Sequence, residues 1–216
     1  MLIIRSCKKN FNNFIANFSN CINKFSCIIF TETWLSEDRD KVFSIPGFYC
    51  CNLYRNQYGG GIKLYLKNDI KSKILDNFTV LNNVCEILTV ELLYNDYKFL
   101  LMMVYHPPTS FPIKNVEFVD LFSHYVRKLI ELNVPLVIAG DMNLNLLNPN
   151  NQVFIDMYVN NLFECDMIPL ITKPTKVNLN NPITRYSVLD QIWVPKALAN
   201  AQSFVFPVNI TDHFPI

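Results

Sequence analysis

An apolar segment that runs directly into an acidic turn constrains this chain more than any other feature of its sequence. Residues 134–147 read VPLVIAGDMNLNLL. The apolar run before Gly140 is too short for a helix, and its lack of polar alternation is typical of a strand buried on both faces. Asp141 and Asn143 follow at a spacing of two, which extended backbone places on one side. The segment therefore predicts either a functional site at a strand end or an ordinary Asx turn.

The composition fits one domain with a sizeable core and limits the classes of function. Hydrophobic residues make up 50% of the 216 positions and charged residues 17%, yet no uncharged apolar run reaches the roughly 18 residues of a membrane span. The N-terminal stretch lacks the apolar region of a signal peptide, so we expect an intracellular protein. Seven cysteines without a CxxC pair argue against a disulfide framework and a zinc site. The net charge of +1 gives no overall attraction to nucleic acid, so phosphate binding would need a local patch or bound metal ions.

Periodicity predicts strands and helices that alternate along the chain. Apolar residues at helical spacing predict helices over residues 11–18, 116–132 and 153–163. Short apolar or alternating runs predict strands within residues 1–6, 27–30, 58–66, 84–93, 97–105 and 187–194. The runs on either side of Asn95 and Asp96 form a hairpin. Three glycines at 59–61 predict a turn rather than a nucleotide-binding loop, because no Gly-Lys-Ser/Thr ending follows. The polar stretch 172–184 is either a substrate loop or a solvent-facing connection.

Side chains with catalytic or metal-binding chemistry recur at or near the predicted strand ends. They are Glu32, Tyr105, Asp141, Asn143, Asp190, Asp212 and His213. If the sheet brings them to one edge, this oxygen-rich set suits Mg²⁺ or Mn²⁺ better than zinc. Such a site fits phosphate chemistry, in which the cation neutralises the phosphodiester, an aspartate orients or deprotonates water, and a His–Asp pair assists a phosphate oxygen. Taken singly, Tyr105 would be interpreted as a core aromatic and His213 as a satisfied surface imidazole.

Seven short motifs follow one another along nearly the whole chain. They are IRS at 4–6, TETWL at 31–35, GGGIKLYLKNDI at 59–70, YHPP at 105–108, GDMNLNLL at 140–147, VLDQIW at 188–193 and TDHFPI at 211–216. Their order and spacing resemble the endonuclease/exonuclease/phosphatase family, whose fold is DNase I-like, and most closely the apurinic-type endonuclease domain of non-LTR retrotransposons. The joint occurrence of these motifs is highly specific, although GDxN or GGG alone would be weak.

The resemblance implies a fold and an activity. It implies a single domain over residues 1–216, folded as a four-layered α/β sandwich in which two packed, mainly antiparallel sheets are flanked by helices. It also implies cleavage of a DNA phosphodiester, dependent on Mg²⁺ or Mn²⁺, in a cleft at the strand ends. DNA would be the partner, joined by a reverse transcriptase in a full element, with no membrane and no small-molecule cofactor. A functional copy would act in the nucleus.

The resemblance also assigns roles to most of the candidate residues. Glu32 looks like the metal ligand, and Asp212 resembles the acidic residue beside the metal site. Tyr105 looks like the tyrosine that contacts phosphate. Asp141 resembles the residue that aligns or activates water, with Asn143 as its companion.

One expected contact and one departure complete the comparison of motifs. Asp190 resembles the partner that orients His213, so their side chains should approach within about 3.5 Å. The family's first motif usually reads Asn-Ile-Arg-Ser, with its asparagine at the metal-phosphate site, and Ile3 stands in that place. An isoleucine can neither coordinate a metal nor donate a hydrogen bond.

The departure at Ile3 and the abrupt chain ends leave other interpretations open. The chain can be a fragment truncated at both ends, a stand-alone domain, or a decayed relic that binds nucleic acid without cleaving it. A phosphatase of the same fold, acting on inositol phosphates or phospholipid headgroups, would use the same site chemistry. The ETWL and YHPP forms favour the nuclease.

Overall fold

Strands and helices alternate along the chain, as the periodicity predicts. The computed structural model describes residues 1–56, 59–109, 111–147, 152–178, 185–208 and 210–216. Within these ranges the elements are β1 (Leu2–Arg5), α1 (Cys7–Phe18), β2 (Cys27–Thr31), β3 (Phe48–Leu53), β4 (Ile62–Lys67), β5 (Lys71–Ile74), β6 (Val80–Leu81), β7 (Glu86–Tyr94), β8 (Tyr97–Tyr105), α2 (Pro112–Ile130), β9 (Leu136–Asp141), α3 (Gln152–Glu164), β10 (Met167–Pro169), β11 (Lys176–Val177), β12 (Tyr186–Ser187) and β13 (Asp190–Pro195). Short 3₁₀ turns lie at Ile22–Lys24, Glu37–Phe43, Asp76–Phe78 and Lys196–Leu198.

Two larger sheets carry most of the strands. The first has the order β1-β2-β4-β3, and the second has the order β10-β13-β9-β8-β7-β5 with β6 paired to β7. β1 runs parallel to β2 and β8 runs parallel to β9, whereas the other pairs in these sheets are antiparallel. Both parallel pairs are crossover units, because parallel neighbours need a long connection and α1 and α2 supply it. The two sheets are therefore mainly antiparallel, as expected.

Three apolar clusters separate four layers. The first lies between the two sheets and includes Ile29 of β2. The second fills the space between the second sheet and helices α2 and α3, around Phe118. The third packs α1, through Phe14, against Ile28 and Phe30 on the outer face of β2. Successive residues of β2 thus point to opposite faces, and the architecture is the predicted four-layered α/β sandwich.

The predicted helices and hairpin are present with small shifts at their ends. α1 begins one turn earlier than predicted, at the buried Cys7. α2 begins at Pro112, because proline at the first helical position has no N–H to leave unpaired. Asn95 and Asp96 connect β7 to β8 with φ values of 47° and 63°, the left-handed conformation that two-residue hairpin turns favour. The short strands β3, β5, β6 and β10 were not predicted, because no apolar periodicity marks their residues.

The C-terminal part of the chain differs from the prediction. The strand predicted within residues 187–194 is β13, which begins only at Asp190, where Asp190 is paired with Asp141 of the antiparallel strand β9. Asp212 and His213 lie outside the named strands, in an irregular segment that closes back on β1. That closure uses two backbone hydrogen bonds between Ile3 and Ile216, of 2.8 and 3.3 Å.

The described residues of the polar stretch 172–184 include the short strand β11. β11 pairs with β12, and Lys176 forms an isolated β-bridge with His213. Residues 179–184 lie outside the described part of the chain. Residues 175–177 support the C-terminal segment, and the choice between a substrate loop and a plain connection stays a prediction.

Two properties of the described residues bear on the class of protein. No helix among them combines the length and the hydropathy that a membrane span needs. All seven cysteines are free thiols. Cys7, Cys27, Cys51 and Cys85 are buried, where they serve as small apolar side chains.

Candidate active site

The two sheets deliver polar residues to one common edge. Tyr105, the last residue of β8, lies beside Asp141, the last residue of the parallel strand β9. On the other side of β9, Asp190 is paired with Asp141. Glu32 directly follows β2 in the facing sheet. The buried interiors of these strands fix the registers, because a slip of one residue would turn each apolar side chain to the wrong face.

His213 and Asp190 form a buried pair. Nδ1 of His213 lies 2.8 Å from Oδ2 of Asp190, which confirms the predicted contact. A carboxylate only accepts, so the network assigns the proton to Nδ1. Thr175 fixes the start of β13, because its Oγ1 accepts hydrogen bonds from the N–H groups of Leu189 and Asp190, both at 3.1 Å. Burial alone would lower the pKa of His213, but the charge and hydrogen bond of Asp190 outweigh it and raise that pKa.

Asp141 combines an Asx turn with an unpartnered oxygen. Its Oδ1 accepts the backbone N–H of Asn143 at 3.1 Å, so the ordinary turn predicted as an alternative is present. Its Oδ2 is buried without a hydrogen-bond partner and lies 3.9 Å from Nδ1 of His213. Burial, followed by the charge of Asp190, raises the pKa of Asp141 to about 7. A carboxylate with a free oxygen and a raised pKa is suited to hold and deprotonate water.

Asn143 and His106 shape the turn that carries Asp141. Nδ2 of Asn143 donates to the backbone oxygen of His106 at 2.7 Å. Nδ1 of His106 lies 2.9 Å from the backbone oxygen of Met142 and must therefore be the donor. The His106 ring stacks on Phe118 at 4.2 Å, and burial lowers its pKa to about 4. His106 is absent from the predicted set, although the YHPP motif contains it.

Glu32 is held by a hydroxyl and a guanidinium. The Tyr105 hydroxyl donates to Oε1 of Glu32 at 2.5 Å. Arg5 makes a bidentate contact, with Nε to Oε2 and Nη2 to Oε1, both at 2.9 Å. Burial and the hydrogen bond to Glu32 raise the pKa of Tyr105, so this residue remains a neutral phenol. Its hydroxyl proton is donated to Glu32, so Tyr105 cannot donate to a phosphate while that hydrogen bond is present.

Arg5 extends the network to the C-terminal segment. Its Nη1 donates to both carboxylate oxygens of Asp212, at 3.0 and 2.9 Å, and lies 3.2 Å from Nε2 of His213. Lys176 Nζ lies 3.0 Å from Asp212. Burial opposes the charge of Asp212, but its hydrogen bond to Lys176 and the neighbouring cations lower its pKa to about 2. Burial also opposes the charge of Arg5, yet Glu32 outweighs it and keeps the guanidinium protonated.

Sequence reasoning missed Arg5, although a signal for it was present. The residue ends the apolar strand β1, as Asp141 ends β9, and it lies within the IRS motif. Its side chain points to the same face as Ile3, two residues earlier, which belongs to the core between the sheets. A charged residue at the end of a buried strand is the same pattern that identified the acids.

The donor chemistry of the cluster fits a hard divalent cation. Asp141, Asp190 and His213 each offer a ligand atom within 4.8 Å of the others, and Asp141 has a buried oxygen without a partner. Glu32 and Asp212 offer further carboxylate oxygens, the ligand type that Mg²⁺ and Mn²⁺ prefer. The positive charge between those two acids is supplied by Arg5.

Comparison with known sequences establishes the family to which the chain belongs. Residues 8–213 match the Endonuclease/Exonuclease/phosphatase family. The chain belongs to this family. No curated protein matches the sequence significantly, so the family match and the solved structures carry the comparison.

Solved structures of family-like proteins share the fold across almost the whole chain. The endonuclease domain of TRAS1, a telomere-specific non-LTR retrotransposon, superposes with a TM-score of 0.73 at 14% identity, covering 99% of this chain and 94% of that domain. The catalytic domain of Xenopus laevis APE2 gives 0.72 at 12% identity, with coverage of 100% and 90%. A mannosyl-6-phosphatase from Bacteroides thetaiotaomicron gives 0.64 at 14% identity, with coverage of 100% and 97%. At these identities the similarity establishes the DNase I-like fold.

The glycine run of this family member supports the turn that carries Glu32. The N–H groups of Thr33 and Trp34 donate to the backbone oxygens of Gly61 and Gly60, at 3.1 and 2.9 Å. Gly60 has a φ of +70°, and a Cβ added there would lie 2.1 Å from Oε1 of Glu86. Glu86 is fully buried and accepts the Gly61 N–H at 2.6 Å. The glycines lead directly into β4, which begins at Ile62, and Glu86 is a positioning acid that the sequence analysis did not single out.

An open cavity adjoins the site on the side of α1. It has a volume of about 900 Å³, and its lining includes Arg5, Glu32, Lys8, Lys9 and Trp34. The two lysines are exposed, and the Trp34 side chain is 41% exposed. Cationic groups beside an exposed aromatic ring suit a phosphate backbone with an adjacent base.

Proposed function

We propose that this chain is a divalent-cation-dependent endonuclease domain that hydrolyses a DNA phosphodiester, as the target-site nicking domain of a non-LTR retrotransposon. The observation that carries the proposal is one edge of the fold at which a His–Asp pair, a buried aspartate with a free oxygen and a carboxylate cluster meet beside a cationic cavity. The retrotransposon assignment is supported by the motif order and by the shared fold of the TRAS1 domain.

In the proposed reaction Asp141 orients and deprotonates the attacking water. Its raised pKa makes the carboxylate a stronger base than an exposed aspartate. Asn143 and His106 hold the turn, so the free oxygen keeps its direction. Asp190 fixes His213 through Nδ1, and in the protonated imidazolium, which its raised pKa favours, Nε2 would donate a hydrogen bond to a phosphate oxygen.

Glu32 and Asp212 would hold Mg²⁺ or Mn²⁺. When bound, the cation neutralises the phosphodiester and stabilises charge on the leaving oxygen. Tyr105 orients Glu32 through its hydroxyl and would reach a phosphate only after releasing that contact. These roles follow the resemblance residue by residue.

Lys8 and Lys9 would contact the DNA backbone, with Trp34 against a base. The nick would leave a 3′-hydroxyl that a reverse transcriptase in the full element could extend. Such an activity would require the protein to work in the nucleus.

Conversion of supercoiled plasmid to open circles, with Mg²⁺ and with EDTA, tests the proposal. We expect nicking that requires the cation and is lost in the Asp141→Asn variant. Release of inorganic phosphate from phosphomonoesters without nicking would instead identify a phosphatase of this fold.

A second candidate function is nucleic-acid binding without cleavage. Two observations favour it, namely the apolar Ile3 in place of the family asparagine and the full engagement of Glu32 by Arg5 and Tyr105. Retention of plasmid in a gel-shift assay, with no nicking at any tested concentration of Mg²⁺ or Mn²⁺, would support this relic and contradict the endonuclease.

A further inference from the structure

Arg5 occupies the centre of the acidic cluster. Three of its nitrogens contact the carboxylates of Glu32 and Asp212, at 2.9 to 3.0 Å, and Nη1 also lies 3.2 Å from His213 Nε2. The Arg5 and Glu32 side chains are 19% and 7% exposed, so their contact is shielded from bulk water, whereas Asp212 is 57% exposed. Bidentate, charge-assisted contacts of this kind are among the strongest that a carboxylate makes.

The same oxygens cannot serve Arg5 and a divalent cation well at once. Both oxygens of Glu32 already accept from guanidinium N–H groups, and Oε1 accepts from Tyr105 as well. A cation bound at the usual distance of about 2.1 Å from such an oxygen would lie within roughly 5 Å of the guanidinium. Repulsion between the two positive charges is weakly screened in a buried site.

We propose that Arg5 is an internal counter-ion that a divalent cation must displace from Glu32 and Asp212, so that metal binding and the present position of Arg5 exclude each other. The inference rests on the proposed metal-dependent function of the same site. Arg5 also lines the open cavity beside Lys8 and Lys9, so the displaced guanidinium has room to turn toward the phosphodiester of the substrate. When the cation and the substrate are both bound, Arg5 therefore contacts a phosphate group in place of the two carboxylates.

Cation binding and the ion pairing of Arg5 with the two carboxylates are linked equilibria, which gives the proposal a measurable consequence. If Arg5 competes with the cation, it lowers the apparent affinity of the site for the cation, and removing Arg5 should restore that affinity. We expect Arg5→Gln to bind Mn²⁺ at least about 10-fold more tightly than the wild type. Arg5→Lys should fall between them, because one ammonium cannot engage both carboxylates as the planar guanidinium does.

Mn²⁺ binding is measured directly, by the electron paramagnetic resonance signal of free Mn²⁺, without DNA and at fixed pH and ionic strength. Arg127→Gln is the matched control. It removes the same charge from an exposed side chain that contacts Asn161 and Glu164 on α3, and it should leave Mn²⁺ affinity unchanged. Glu32→Gln should weaken Mn²⁺ binding, because it removes a proposed ligand charge.

The outcomes separate this inference from the proposed function. Tighter Mn²⁺ binding by folded Arg5→Gln supports the counter-ion role even if no variant nicks DNA. Equal or weaker binding by folded Arg5→Gln overturns it, even if the wild type is an active nuclease, and so does a failure of both proteins to bind Mn²⁺. If Arg5→Gln does not fold, Arg5→Lys decides by the same comparison.

Discussion

Asp141→Asn separates the catalytic interpretation of Asp141 from the structural one. Asp141 is fully buried, with one oxygen bonded to the Asn143 N–H and the other without a partner. Asparagine has the same shape, and its carbonyl oxygen can still accept from Asn143. The Asx turn should therefore survive, whereas an amide nitrogen in place of Oδ2 cannot take a proton from water.

Two opposite effects follow from the replacement. A general base contributes about 100- to 10,000-fold to a rate, so nicking should fall at least about 100-fold, or roughly 2.7 kcal/mol of transition-state free energy. The free energy of unfolding should stay constant or rise, because a carboxylate with an unpartnered buried oxygen is replaced by a neutral group. Loss of activity without loss of stability is the expected signature.

The assay is the nicking rate of supercoiled plasmid with Mg²⁺, measured beside the melting temperature of each protein. Asp156→Asn is the control, because Asp156 is an exposed aspartate on α3, and it should nick near the wild-type rate. Nicking by Asp141→Asn at a similar rate would refute the catalytic role. A large fall in melting temperature would show that Asp141 serves the turn instead.

Three further predictions concern stability alone or stability together with activity. Burial lowers the pKa of His106 from 6.5 to about 4, so between these pH values the unfolded chain binds a proton that the folded chain does not. The contribution of neutral His106 to the free energy of unfolding should be fully present above pH 6.5 and fall by about 3 kcal/mol toward pH 4. Denaturant titrations across this range should show a smaller fall for His106→Gln. Gly60→Ala should lower the melting temperature and slow nicking, because its Cβ would strike Glu86 at a φ of +70°; Gly59→Ala, with open space around its Cβ, should change neither. Ile3→Asn should raise Mg²⁺-dependent nicking about 5- to 150-fold at some cost in melting temperature, since Ile3 is only 2% exposed; unchanged or slower nicking by the folded variant would favour the relic.

The sequence was informative where apolar runs end in polar groups. β2 ends before Glu32, and β9 ends at Asp141, and both are visible as short apolar runs because strands buried on both faces lack polar residues. Tyr105 and Asp141 then become neighbours through the α2 crossover, which aligns β8 and β9 in parallel. The Asp190–His213 contact came from the order of the motifs, since no periodic pattern covers His213.

The partners of Arg5 were not predictable by the same reasoning. Periodicity shows which side chains leave a strand end, but it does not show which of them face one another across two sheets. Arg5 and Asp212 are separated by 207 positions, and the segment that carries Asp212 has no repeating pattern. Thr175 and Lys176 likewise lie in a stretch without apolar periodicity, and they act through the Thr175 hydroxyl and the Lys176 ammonium group.

The site therefore depends on closure of the fold between distant parts of the chain. Ile3 and Ile216 exchange two backbone hydrogen bonds, and this pairing places Arg5 two residues beyond Ile3 against the acidic C-terminal segment. Contacts of such long sequence separation form late or cooperatively, because their loop-closure entropy must be offset by the core. Asp141 and its turn belong to the end of β9 and can form with the second sheet, whereas the cluster around Arg5 requires both sheets and the C-terminal segment together. A change that loosens the pairing of Ile3 with Ile216 should then alter cation binding before it alters the Asp141 turn.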